Sequence, residues 1–208
     1  MGIRAVRIWS VELPYKEPFR TALGVSRVSR NLVVEVETDF GPVGLGECSP
    51  LPRVTGETLE NSLEALKALG RELVGACPLR IEALRERMLE VSPHSPAARA
   101  AVDMALFDIL GQVSGRPLYR ILGGYRERVE TDITISLKEP REMASDALRA
   151  VEAGFKSLKL KVGGKPEEDF ERVRAVRDAV GDDVEIRVDA NQAWSCLLYT
   201  SPSPRDRG

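Results

Sequence analysis

The chain has 208 residues, with 30 Lys and Arg against 32 Asp and Glu for a formal net charge of -2; 43% of its residues are hydrophobic and 30% charged. This balance favours a packed core over disorder and excludes a strongly basic nucleic-acid binder. The length suits one ordinary domain or two small ones, and no run approaches the roughly 20 apolar residues that span a bilayer.

The start has neither a long apolar stretch nor a cleavage site, so it does not read as a signal peptide. Cys48, Cys77 and Cys196 are odd in number, and their spacing fits neither a zinc site nor a disulfide framework. A reducing cytoplasm is the plain expectation.

Along the chain, 3–13 reads as a strand, and 31–38 and 43–47 as two more, joined through the turn residues Asp39-Phe40-Gly41. Val34 and Val36 share one face, and Glu35 and Glu37 take the other. The stretch 18–30 has no clean period and reads as a loop. Helices follow. One spans 57–73, with Leu59, Leu63, Leu66 and Leu73 on a stripe and Gly75 to end it. A second covers 79–89. A third opens at Ser95-Pro96, read as an N-cap followed by proline at the first helical position. Its alanines 97, 98, 100, 101 and 105 allow close backbone packing. A short helix at 117–122 stops at Gly123-Gly124.

The pattern then changes. Strands at 130–137, 155–162 and 184–190 alternate with helices at 140–153 and 166–180, each helix with proline near its start and glycine just past its end. This punctuation predicts parallel β/α architecture. An eight-stranded barrel needs about 250 residues, so three such strands make either a small open sheet or part of a barrel.

Period-two alternation sorts the faces of the last two strands. Leu158, Leu160 and Val162 point one way, and Lys159 and Lys161 the other. Val184, Ile186 and Val188 point one way, and Glu185, Arg187, Asp189 and, if the strand extends that far, Asn191 the other. Charges on a face that is normally apolar in a parallel sheet require a reason. They line a polar pocket at the strand ends, or they form a structural ion-pair network or a solvated face. Asp189 is a hard-oxygen donor suited to Mg²⁺, but one carboxylate does not make a site. His94, the single histidine, reads as a loop residue, and Cys48 has no readable base partner.

Several stretches together carry a resemblance. They are PFRTALGVSR at 18–27, ETDFGPVGLGECSPLPRVTGET at 37–58, AARAAVDMALFDILGQVSGRPLYRILGG at 97–124, ETDITISL at 130–137, LKLKVGG at 158–164 and RVDANQAW at 187–194. With them the chain resembles the enolase superfamily, in the muconate-lactonising subgroup and within it the dipeptide epimerases of the L-Ala-D/L-Glu type. The match covers residues 1 to about 195. K-x-K followed one β/α unit later by D-x-N, behind such an N-terminal half, carries the specificity.

The resemblance implies an α+β N-terminal capping domain at 1–125 and, at 126–195, the first three strands of a (β/α) TIM-type barrel. It implies Mg²⁺-assisted removal of a proton next to a carboxylate, a dipeptide substrate, and no nucleic-acid or membrane partner; the full-length form could be a homo-oligomer. Lys161 matches the acid/base lysine, Lys159 its electrostatic neighbour, Asp189 the first of three metal carboxylates, Asn191 a supporting residue and Thr134 a substrate-binding position. The 18–27 and 50–56 loops would close over the substrate. The other two carboxylates and the opposing lysine have no counterpart in this sequence.

After Trp194 the sequence departs from the family. SCLLYTSPSPRDRG resembles translated adapter sequence, so 196–208 is expected to be a non-native tail. On this reading the chain is C-terminally truncated, inactive and poorly stable. A muconate cycloisomerase or o-succinylbenzoate synthase is the near alternative, and a non-catalytic α/β scaffold the distant one.

Overall fold

The computed structural model describes residues 1–195. The tail at 196–208, expected to be non-native, lies outside the described residues. Among the described residues two compact units emerge: residues 1–14 with 28–127, and residues 15–27 with 128–195.

In the first unit, portions of β1 (Ile3–Thr21) and β2 (Gly24–Thr38) join β3 (Val43–Cys48) in a sheet of order β1-β2-β3. β2 and β3 are antiparallel, with Val34 opposite Gly46 and Val36 opposite Gly44. The expected alternation holds. Val34 and Val36 are fully buried, whereas Glu35 and Glu37 face Arg7 on β1, at 2.7 and 2.6 Å.

A short α1 (Pro52–Thr55) precedes α2 (Leu59–Leu73), α3 (Ile81–Val91), α4 (Pro96–Ser114) and α5 (Leu118–Ile121). Thr58 caps α2, its hydroxyl accepting from the Asn61 amide at 3.2 Å. Leu66, Leu69 and Leu73 of α2 share a core with Leu32, Val34, Val36, Leu106 and Ile109. Ser95 does stand at the start of α4, but its side chain makes no capping bond. The buried carboxylate of Glu57 takes that role, accepting from the Ala97 amide at 2.9 Å, where the positive end of the helix favours an anion.

α4 lies against β3. Of its five alanines near the start, Ala98, Ala101 and Ala105 are fully buried. Gly44 and Gly46 leave room for the helix backbone, because a Cβ at either position would overlap the carbonyl of Ala105 or Ala101. Backbone groups of the outer strand β3 are also bonded by this helix: Asp108 Oδ2 accepts from the Leu45 amide at 3.0 Å, and Gln112 Nε2 donates to the Val43 carbonyl at 2.6 Å. An outer strand covered in this way offers less template for a foreign strand.

In the second unit, β4 (Ile133–Ile135), β5 (Ser157–Lys161) and β6 (Glu185–Asp189) form a parallel sheet in that order. α6 (Pro140–Glu152) follows β4 and α7 (Pro166–Val180) follows β5. Met143, Ala147 and Val176 of these helices pack with Leu158 and Leu160. The glycines that end the helices, Gly154 and Gly181, adopt φ of 96° and 76°, conformations that a side chain would strain.

The stretch 18–30 departs from the expected loop. β1 runs on to Thr21 and β2 starts at Gly24, so it forms the turn end of a long hairpin turning at Ala22-Leu23. Its tip belongs to the second unit, where the Arg20 amide donates to Ser136 Oγ at 2.7 Å and the Leu137 amide to the Arg20 carbonyl at 3.0 Å. Backbone pairing holds this segment extended, and such pairing leaves no mark on side-chain periodicity.

Candidate active site

Parallel register builds the site. Thr134 on β4 lies opposite Lys159 on β5, Lys159 opposite Arg187 on β6, and Lys161 opposite Asp189. The opposite face of β5 is apolar and closed, with Leu158, Leu160 and Val162 fully buried. The polar face divides in two. Toward the strand starts, Arg187 pairs with Asp132 at 3.4 Å and Glu185 at 3.1 Å. This part is the ion-pair network that was one reading of the pattern. Toward the strand ends a different cluster forms.

There Asp189 Oδ2 receives both lysines, Lys161 Nζ at 2.7 Å and Lys159 Nζ at 2.9 Å. Lys161 Nζ also donates to Asn191 Oδ1 at 3.0 Å, and Asp189 Oδ1 accepts from the Asn191 amide at 2.9 Å. Lys161 is a buried ammonium and Lys159 is half-exposed. The hydrogen bond from Lys161 dominates in holding the Asp189 carboxyl far below its ordinary value; burial opposes it, and Lys159 and the Asn191 amide add to it. Lys159, Lys161, Asp189 and Asn191 thus meet in one cluster. Thr134 is placed on the adjacent strand, in the row of Lys159.

Asn191 and Gln192 adopt φ of 48° and 66°. Left-handed backbone is uncommon for residues other than glycine and collects at functional sites. Here it turns the chain sharply after β6 and returns the Asn191 side chain toward Lys161.

Asp169, Arg172 and Trp194 form a second network, bonded to the segments that follow β5 and β6, and were not singled out by the sequence pattern. Asp169 sits in the first turn of α7. Its carboxylate accepts from the Gly163 amide at 2.9 Å, the Gly164 amide at 3.0 Å, Trp194 Nε1 at 3.0 Å and Arg172 Nη1 at 2.9 Å. Burial alone would raise its pKa, and the bonds from Trp194, Gly163, Gly164 and Arg172 overcome that and hold it below the ordinary value. An Asp three residues before an Arg at a helix start was a signal, although Glu167-Glu168-Asp169 reads first as a solvated acidic turn. A carboxyl depressed on folding contributes stability above its unfolded pKa of about 3.9, and that stability is lost as pH falls through the lower native value. The melting midpoint of the native chain should therefore fall more steeply below about pH 4 than that of Asp169→Asn. Parallel curves for the two proteins would contradict this.

As a metal centre the cluster is incomplete. Among the described residues no three His, Cys, Asp or Glu side chains gather where they could hold a metal ion. Asp189 is a donor of the right chemistry for Mg²⁺, but one of its oxygens already takes two ammonium groups and the other a backbone amide. The described residues supply one oxygen donor of suitable chemistry rather than a site. No helix among them is long and apolar enough to cross a membrane.

Residues 3–123 match the family model for the mandelate racemase / muconate lactonizing enzyme N-terminal domain, and residues 142–198 match that for the enolase C-terminal domain-like family. The chain is 44% identical over 195 residues to a hydrophobic dipeptide epimerase of Enterococcus faecalis, covering 94% of this chain and 55% of that protein. It is 40% identical to an L-Ala-D/L-Glu epimerase of Clostridium acetobutylicum, covering 93% of this chain and 54% of the relative. The crystal structure of the Enterococcus faecalis dipeptide epimerase complexed with Mg and the dipeptide L-Leu-L-Tyr superposes with a TM-score of 0.92 over 93% of this chain and 55% of that one. The chain thus spans about half the length of the curated relatives it matches. Its fold is the enolase-type N-terminal capping domain followed by part of the barrel. On these grounds the chain belongs to the mandelate racemase / muconate lactonizing enzyme family of the enolase superfamily.

Proposed function

We propose that the residues of this chain serve, in the full-length protein, the Mg²⁺-dependent epimerisation of dipeptides of the L-Ala-D/L-Glu type. The observation that carries the reading is the placement of Lys161 Nζ between Asp189 Oδ2 and Asn191 Oδ1, at 2.7 and 3.0 Å, at the ends of parallel strands. Similarity to named dipeptide epimerases supports it.

Lys161 is the acid/base on one face of the substrate's α-carbon. It gives up a proton to become a free amine, takes the α-proton, and can return it. Burial of Lys161 excludes water from the transferred proton, and Asn191 and Asp189 fix the direction of the Nζ. Lys159 adds positive charge beside the developing carboxylate charge. Asp189 would be one ligand of the metal ion, and Thr134 a contact to the substrate. Mg²⁺, when bound, supplies positive charge to the substrate carboxylate and so lowers the cost of removing the adjacent proton. Epimerisation also needs a group on the opposite face and further metal carboxylates. Within this reading residues 1–125 are the capping domain, 126–195 the first barrel strands, 196–208 a non-native tail, and the 208-residue chain is itself inactive.

The test is exchange in deuterium oxide. The full-length protein, incubated with Mg²⁺ and L-Ala-L-Glu or related dipeptides, should form the epimer with one deuterium at the inverted carbon. Failure to exchange any α-proton across such a panel would overturn the reading. Mg²⁺-dependent racemisation by the 208-residue chain would overturn the claim that this chain is inactive.

A further inference from the structure

One buried ion pair on α7 touches the segments that follow each of β4, β5 and β6. Asp169 binds the Gly163 and Gly164 amides after β5 and Trp194 Nε1 after β6. Its partner Arg172 donates from Nε to the Lys138 carbonyl, beyond β4, at 3.0 Å. The two side chains are only 4% and 11% exposed. Capping of α7 would account for the bonds to Gly163 and Gly164 alone. The bond to Trp194 spans 25 residues of sequence and that to Lys138 spans 34, so the pair reaches well beyond its own helix.

What those segments carry gives the pair its significance. Trp194 follows the left-handed turn at Asn191-Gln192, and that turn brings Asn191 Oδ1 to Lys161 Nζ. Gly163 stands two residues after Lys161 with φ of 123°, and a Cβ there would meet the Ala22 Cβ at 2.5 Å and the Ala190 carbonyl at 2.9 Å. The loop after β5 therefore fits closely against its neighbours. Bonds donated to a charged acceptor are about twice as strong as neutral ones, and a buried network with its donors satisfied is rigid.

We infer that Asp169 and Arg172 form a positioning clamp for the proposed reaction, fixing the segments after β5 and β6 so that the Lys161 ammonium stays between Asp189 and Asn191. The inference rests on the assignment of Lys161 as the acid/base. No bond joins Asp169 or Arg172 to Lys161, so both act through the backbone and through Trp194.

The test uses the 208-residue chain and needs no turnover. An amine-acylating N-hydroxysuccinimide ester is applied, and acylation of Lys161 is followed by peptide mass spectrometry against Lys67 on α2 as an internal reference. Asp169→Asn keeps the size of the side chain but replaces a charged acceptor with a neutral amide. It should raise the Lys161 to Lys67 rate ratio about tenfold, the factor expected when a charged hydrogen bond is lost. Trp194→Phe removes the indole N–H of the long-range bond and leaves the Gly163, Gly164 and Arg172 bonds to Asp169 in place, so a smaller rise is expected. That variant decides the matter if Asp169→Asn fails to fold. An unchanged ratio in both variants overturns the clamp, as does equal acceleration at Lys67 in both, the mark of a merely structural role. A raised ratio beside a failed exchange assay refutes the epimerase reading alone. An unchanged ratio beside a working full-length enzyme refutes the clamp alone.

Discussion

Lys161→Ala in the full-length protein is expected to lower kcat for epimerisation by about 10²- to 10⁴-fold, the usual contribution of a positioned acid/base. The fold should survive the change. Asp189 keeps Lys159 Nζ at 2.9 Å and the Asn191 amide at 2.9 Å, so the carboxylate is not left buried without a partner. The melting midpoint should accordingly move little. Lys161→Arg separates the two roles that a lysine could have here. A guanidinium preserves the charge beside Asp189 but does not release a proton at neutral pH. If Lys161 transfers a proton, the arginine variant should be as slow as the alanine variant. If Lys161 supplies only charge, arginine should restore much of the rate, and the acid/base assignment would fall. Lys159→Met should slow the reaction less, because Lys159 is half-exposed and water screens its charge.

The site was legible where geometry follows directly from backbone period. Residues 159 and 161 must share a face of a strand, as must 185, 187 and 189, and parallel register brings the two sets side by side. The strand ends at Asp189, so Asn191 reaches Lys161 through the left-handed turn and not through strand period. The pattern alone could not tell a reactive cluster from an ion-pair network. The structure separates two groups of ion pairs at opposite ends of the same strands, Arg187 with Asp132 and Glu185 at one and Lys159 and Lys161 with Asp189 at the other. Long-range partnerships were not legible. Nothing in Glu167-Glu168-Asp169 announces that the third carboxylate turns inward to an indole 25 residues away. The hairpin between 18 and 30 was hidden for a related reason, since its pairing is carried by backbone groups that every residue has. At the start of α4, the serine expected to cap the helix yields to Glu57, forty residues upstream of the amide it binds.

The alanine-rich start of α4 and the glycines of β3 are complementary halves of one contact, and this gives the largest stability effect expected in the chain. A Cβ at Gly46 would overlap the Ala101 carbonyl and come within 2.8 Å of its carbon, and neither atom can retreat without moving the helix backbone. The same helix is held to β3 by Asp108 and Gln112, so any shift also loosens those bonds. Overpacking at such a place costs about 3 kcal/mol, the upper end of the usual range. A loss of that size should lower the melting midpoint by about 10 °C for a chain of this length. Gly111→Ala on α4 is the control for Gly46→Ala on β3, because it adds the same methyl group to the helix that β3 approaches. The new Cβ meets only the Arg116 carbonyl, at 3.4 Å. There the gain in helix propensity, about 1 kcal/mol, should leave stability unchanged or slightly raised. Equal destabilisation by the two substitutions would mean that the close approach of α4 to β3 is not what these glycines secure.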